Sequence, residues 1–138
     1  MYDLDLSFQV DSDSARRWLK SGGVGTITSQ DNALFVGLMK NAKLKDYFLT
    51  RMGQLMASTF SAGYVNTLIE SRRATLESEM LMTCARWGWS TETWTNYVNG
   101  MSSYAKSRPG KLLDYIKSAF GLSTEQMQRY FGAAMQNM

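Results

Sequence analysis

The sequence predicts a mainly α-helical single domain with one short N-terminal β segment. Three observations support this. Apolar residues recur at helical spacing almost without a break from residue 32 onward. Helix caps and stops punctuate that stretch at regular places. Only residues 1–10 alternate with the period of two that a strand requires. At 138 residues one domain is expected, divided as a strand over 1–10, a loop over 11–31 and a helical bundle over 32–138. Apolar residues at 44% and charged residues at 20% are enough for a packed core and argue against general disorder.

In the opening segment, Tyr2, Leu4 and Leu6 fall on one side of an extended chain, and Asp3, Asp5 and Ser7 on the other. Residues 11–31 are rich in Ser, Gly, Thr and Asp, with room for one helical turn around Ala15–Leu19. The run Gly22-Gly23-Val24-Gly25 has neither a preceding apolar strand nor a following Lys-Ser/Thr. It reads as a connection and not as a phosphate cradle.

The segment Ala33–Met39 is a short apolar helix. Leu44, Phe48, Met52, Leu55 and Met56 mark the next one. Ser61 caps a long helix whose buried stripe is expected to be Val65, Leu68, Ile69, Leu76 and Met80, ending near Arg86. Ser90 opens a helix with the stripe Trp94, Tyr97, Val98, Met101, Tyr104 and Ala105. Pro109 suits the first turn of a separate helix carrying Leu112, Leu113, Ile116 and Phe120, with Gly121 at its end. Ser123 and Gln126 form a capping-box pattern for a last helix over Thr124–Gln136. A lone strand cannot satisfy its own backbone groups, so its partners are expected to lie outside this sequence, in another chain or in a short local hairpin, and the chain reads as a piece of something larger.

Several chemistries are excluded. There is no histidine, which removes Ser-His and Cys-His nucleophiles, His-ligated zinc and a His proton switch. One cysteine, Cys84, excludes an internal disulfide and reads as a plain buried thiol. No apolar run reaches the roughly 18 residues of a membrane span, and the opening residues do not read as a signal peptide. The net charge is +3, unevenly spread: residues 1–14 carry −4 and the remainder +7. The basic pairs Arg16-Arg17 and Arg72-Arg73 are too short for a nucleic-acid stripe and read as solvated helix faces, which argues against a nucleic-acid partner. Trp87, Trp89 and Trp94 cluster at a helix junction and are read as core. The ten methionines, interleaved with Leu and Phe, are read the same way.

The Asp3-Leu4-Asp5 pair is the sharpest chemical feature. Both carboxylates leave one face of an extended chain, within reach of a divalent cation. Taken alone, Asp-x-Asp reads first as an exposed acidic chain end.

The order of features adds to this. A strand of the form Trp-Asp-Leu-Asp-x-[Ser/Thr]-Phe-Gly corresponds to Tyr2-Asp3-Leu4-Asp5-Leu6-Ser7-Phe8-Gln9. A segment like Leu-Phe-x-x-Leu-x-x-Asn-x-x-Phe corresponds to Leu34-Phe35-Val36-Gly37-Leu38-Met39-Lys40-Asn41, with Leu44 near its last position. The stretch Phe48–Leu55 follows with Arg51, then Phe60-Ser61 and Val65, Glu79 and Trp87, Arg108-Pro109 and Phe120-Gly121-Leu122. In this order, over about residues 2–122, the chain resembles the C-terminal part of the spore coat protein H (CotH) family of atypical bacterial protein kinases. Tyr2 and Gln9 depart from that pattern, Tyr2 standing at the tryptophan position and Gln9 at the glycine position.

The resemblance implies a bundle equivalent to the C-terminal lobe of an atypical kinase. It implies that Asp3 or Asp5, unranked, binds Mg²⁺ bridging the phosphates of ATP. It also implies transfer of phosphate to Ser/Thr of coat or surface proteins, and a spore-coat or extracytoplasmic location. The nucleotide-gripping lysine, the glycine-rich loop and the catalytic aspartate are expected in an N-terminal kinase lobe outside this sequence. No catalytic residue is therefore assigned within it, and the chain alone is expected to be inactive. Two alternatives are a non-catalytic helical interaction module and a basic helical domain that binds anions or nucleic acid.

Overall fold

A computed structural model describes residues 33–138. The strand expected over 1–10 and the loop expected over 11–31 lie outside the described residues. The described chain is helical: α1 (Ala33–Leu38), α2 (Ala42–Ala57), α3 (Ala62–Trp87), α4 (Thr91–Phe120) and α5 (Thr124–Gln136). No strand occurs among the described residues.

The helix starts follow from capping chemistry. Asn41 accepts from the Lys43 and Leu44 amides and starts α2. Ser61, Ser90 and Ser123 each accept from the amide three residues on and start α3, α4 and α5. At Ser123 the box is complete, because the Gln126 side chain accepts from the Ser123 amide at 2.9 Å. Two stops are alike. Gly88 (φ 68°) and Gly121 (φ 59°) take the left-handed conformation, and the next amides, of Trp89 and Leu122, bond back to Cys84 and Lys117 carbonyls. Leu122 is buried after its turn, whereas Trp89 is exposed.

The expected helix break at Pro109 does not occur. A single 30-residue helix, α4, runs through it, spanning about 45 Å. Proline in a helix interior forfeits one backbone bond and crowds the preceding turn. Here its ring lies on the same buried stripe as Ala105, Leu113 and Ile116, so burial offsets that loss.

That long helix joins two packing units. Its C-terminal half packs with α2 and α5 around Leu49, Met56, Leu113, Ile116, Leu122, Met127, Phe131 and Ala134. Its N-terminal half pairs with α3 in a thinner arm around Ile69, Val98 and Ala105, with Val65, Trp94 and Met101 half-buried beside them. The arm corrects three expectations. Leu68 and Leu76 remain about half exposed, because α3 has only α4 as a long neighbour and its stripe overhangs. Trp87 and Trp89 are each 63% exposed at the arm's tip and are not core: Trp87 is the last residue of α3, and Trp89 follows the Gly88 turn. Tyr97 also points to solvent from the opposite edge of its stripe. Cys84 is buried as expected.

In the larger unit, α2 and α5 approach backbone to backbone at Gly53. A Cβ placed there would fall on the Tyr130 carbonyl oxygen. Gly53→Ala should therefore destabilise the chain by about 1–3 kcal/mol through overpacking. Gly100, in open space on α4, provides the contrast: Gly100→Ala should stabilise by about 0.5–1 kcal/mol. Denaturant melts of the two variants check both signs.

Candidate functional site

The polar chemistry of the helical body gathers where α2 crosses α5. Asp46 Oδ1 accepts from Tyr130 Oη at 2.6 Å and from Arg129 Nη2 at 3.2 Å. Asn137 Nδ2 reaches back to the Ala57 carbonyl at 3.1 Å and ties the far ends of the same two helices. Asp46 is the single acid between Ala33 and Ile69, and its register puts it on the α5 side of α2. Sequence reasoning did not single it out, although its isolation among Lys40, Lys43, Lys45 and Arg51 was a visible signal.

The phenol of Tyr130 is held above its ordinary pKa. The hydrogen bond to Asp46 is the main cause, followed by burial; Arg129 opposes the shift and the charge of Asp46 adds to it. The carboxylate accepts both of these bonds. The arrangement is a clamp between two helices.

No group of three or more Cys, Asp or Glu side chains among the described residues is placed to hold a metal ion. The Cys84 thiol is buried and directed at the Ser90 carbonyl at 3.8 Å. No helix among them is long and apolar enough to cross a membrane. Among the described residues, two grooves are mainly apolar. One, of 280 Å³, lies between α1 and α2. The other, of 320 Å³, lies between α3 and α4 under Leu68 and Leu76.

The predicted metal residues, Asp3 and Asp5, lie outside the described residues. The other residues of the family-like series have structural posts. Asn41 and Ser61 are helix caps. Phe48 stacks on Phe35 and Phe120, with ring centroids 5.2 and 5.8 Å apart. Arg108 lies over the rings of Tyr104 and Tyr115 at 5.6 and 5.9 Å. Glu79 is exposed on the arm. These posts build a scaffold.

The described residues form a helical body with one polar clamp between α2 and α5. Residues 1–112 match the family model described as CotH kinase protein, and the chain belongs to that family. The match begins at the acidic segment and ends inside α4, three residues past Pro109, so α5 lies beyond it. No curated protein and no solved structure matches the chain.

The Asp46 clamp gives a pH prediction with a definite sign. A tyrosine whose folded pKa is raised contributes stability that is full below its unfolded pKa, about 10. That stability is lost as pH rises through the folded value. Asp46→Asn removes the charge and should lower the Tyr130 midpoint toward the ordinary range. Tyrosinate absorbance, with Tyr130→Phe as the blank, should show the wild-type transition at higher pH than the Asn variant.

Proposed function

We propose that the chain is the helical C-terminal lobe of a CotH-type protein kinase, which in its full-length form transfers phosphate from ATP to Ser/Thr of coat or surface proteins. The observation that carries the reading is the family match over residues 1–112, which includes the Asp3-Leu4-Asp5 segment. The helical body is consistent with it: Asn41 and Ser61 cap helices and Phe48 and Arg108 pack on aromatic rings, while Glu79 and Trp87 of the same series are exposed.

In this reading Asp3 or Asp5 holds Mg²⁺ at the phosphates. Two carboxylates on one face of an extended segment are a hard oxygen donor set suited to a cation whose remaining ligands are phosphate oxygens and water. The metal, when bound, neutralises charge on the transferred group. The chain's own part is to present the carboxylates and to support the segment that carries them. The lysine that grips the nucleotide and the catalytic aspartate belong to a kinase lobe outside this sequence, which is the partner this lobe requires. The family's name points to a spore-coat or surface location. A helical interaction module is the second reading, favoured by the exposed apolar residues of the arm.

The test is phosphate incorporation by the full-length enzyme across a magnesium and manganese titration. Asp3→Asn and Asp5→Asn should leave folding nearly intact, and at least one should reduce transfer by orders of magnitude. The 138-residue chain alone should fold as a mainly helical domain by circular dichroism and turn over ATP at background. Wild-type rates and metal dependence in both Asn variants would overturn the metal assignment, and robust phosphorylation by the isolated chain would overturn the division of labour.

A further inference from the structure

Helix α2 has two apolar faces: one is fully buried in the core, and the other is only partly covered, with Phe48 and Met52 packed at the edge of the core. Leu49, Gly53 and Met56 turn inward against α5 and α4. Leu44, Phe48, Met52 and Leu55 recur at helical spacing about 100° away and, with Phe35 and Leu38 of α1, line the 280 Å³ groove. The rim is unfilled: Leu38 is 43% exposed, Leu44 42% and Tyr47 71%. The walls are almost entirely apolar, and an open apolar groove of this kind is a common seat for an amphipathic segment.

Charge around the groove selects among occupants. Arg51 stands on its lip, Lys43 and Lys45 flank Leu44 on either side, and Lys40 sits in the turn between α1 and α2. The single acid of Ala33–Ile69, Asp46, is on the opposite side of α2, engaged by Arg129 and Tyr130. Arg51 bonds to the neutral Gln54, and the Lys45 ammonium lies over the Phe120 ring at 5.8 Å. The groove of the arm has acids at its rim as well as bases: Arg72 and Arg73 line it, and Arg73 pairs with Glu70 and Glu77 at 3.3 and 3.8 Å.

We infer that the α1–α2 groove is a docking site for an acidic amphipathic segment of a partner protein. Two or three of the partner's apolar side chains seat on Phe48, Met52 and Leu55, and its carboxylates face Lys40, Lys43, Lys45 and Arg51. The inference rests on residues of α1 and α2 alone and stands whether or not the kinase reading does.

The probe is a fluorescein-labelled synthetic helical peptide with Leu at i, i+3, i+4 and i+7 and Glu at the flanking positions, titrated with the full chain and followed by anisotropy. The same peptide with Lys in place of Glu is the control. The Glu peptide should bind with a salt-weakened affinity roughly tenfold or more above that of the Lys peptide. Leu38→Glu, at an exposed rim position, should abolish binding while circular dichroism stays unchanged. The double variant Lys43→Glu/Lys45→Glu should reverse the preference toward the Lys peptide. Absence of binding, equal binding of the two peptides, or binding indifferent to both variants would overturn the inference. So would a concentration-dependent dimer that the Leu38→Glu variant dissolves, since the occupant would then be a second copy of this chain.

Discussion

Gly53 lets the backbone of α2 lie against the Tyr130 carbonyl of α5, and the arrangement of the larger packing unit depends on that approach. At this separation Leu49 and Met56, one turn to either side of the glycine, reach Phe131 and the α4 stripe of Leu113 and Ile116. Asp46, two turns before it, comes within hydrogen-bonding distance of Tyr130. Apolar burial supplies the cohesion, while the clamp and the Asn137 bond fix the register of the two helices. The second face of α2 is thereby left outward, which creates the groove beside α1.

The arm is built on a different balance. Its 26-residue α3 buries only Ile69 and Cys84 fully, and large apolar side chains remain in solvent along it and at its tip. A pair of helices has too little mutual surface to bury two broad stripes. The arm is held to the larger unit by the continuity of α4 through Pro109. Had the proline ended a helix there, as its usual placement suggests, the two units would be joined by a hinge and not by a rod.

This contrast separates what was legible from what was not. Caps and stops are decided within four residues, so Ser61, Ser90, Ser123 with Gln126, and Gly121 could be read directly and the helices they bound were found. The passage of α4 through Pro109 depends on neighbours that bury the ring, which no local pattern records. Leu76 and Trp87 failed as core residues for the same reason: apolar spacing defines a stripe but not whether a neighbour exists to cover it. The family was legible because its residues occur in a fixed order along most of the chain. The clamp of Asp46, Arg129 and Tyr130 was not, since Asp46 lies more than 80 residues from the other two and meets them only through tertiary packing.

The central claim is that the helices support and the acidic segment binds metal. Paramagnetic broadening in the NMR spectrum of the 138-residue chain tests it directly, because Mn²⁺ reports even weak binding by its effect on nearby amides. With Mn²⁺ and ATP added, signals around Asp3 and Asp5 should broaden first, while those of α2, α4 and α5 stay sharp. Broadening centred on Glu70, Glu77 and Glu79 of the arm, or spread evenly over the helices, would contradict the account.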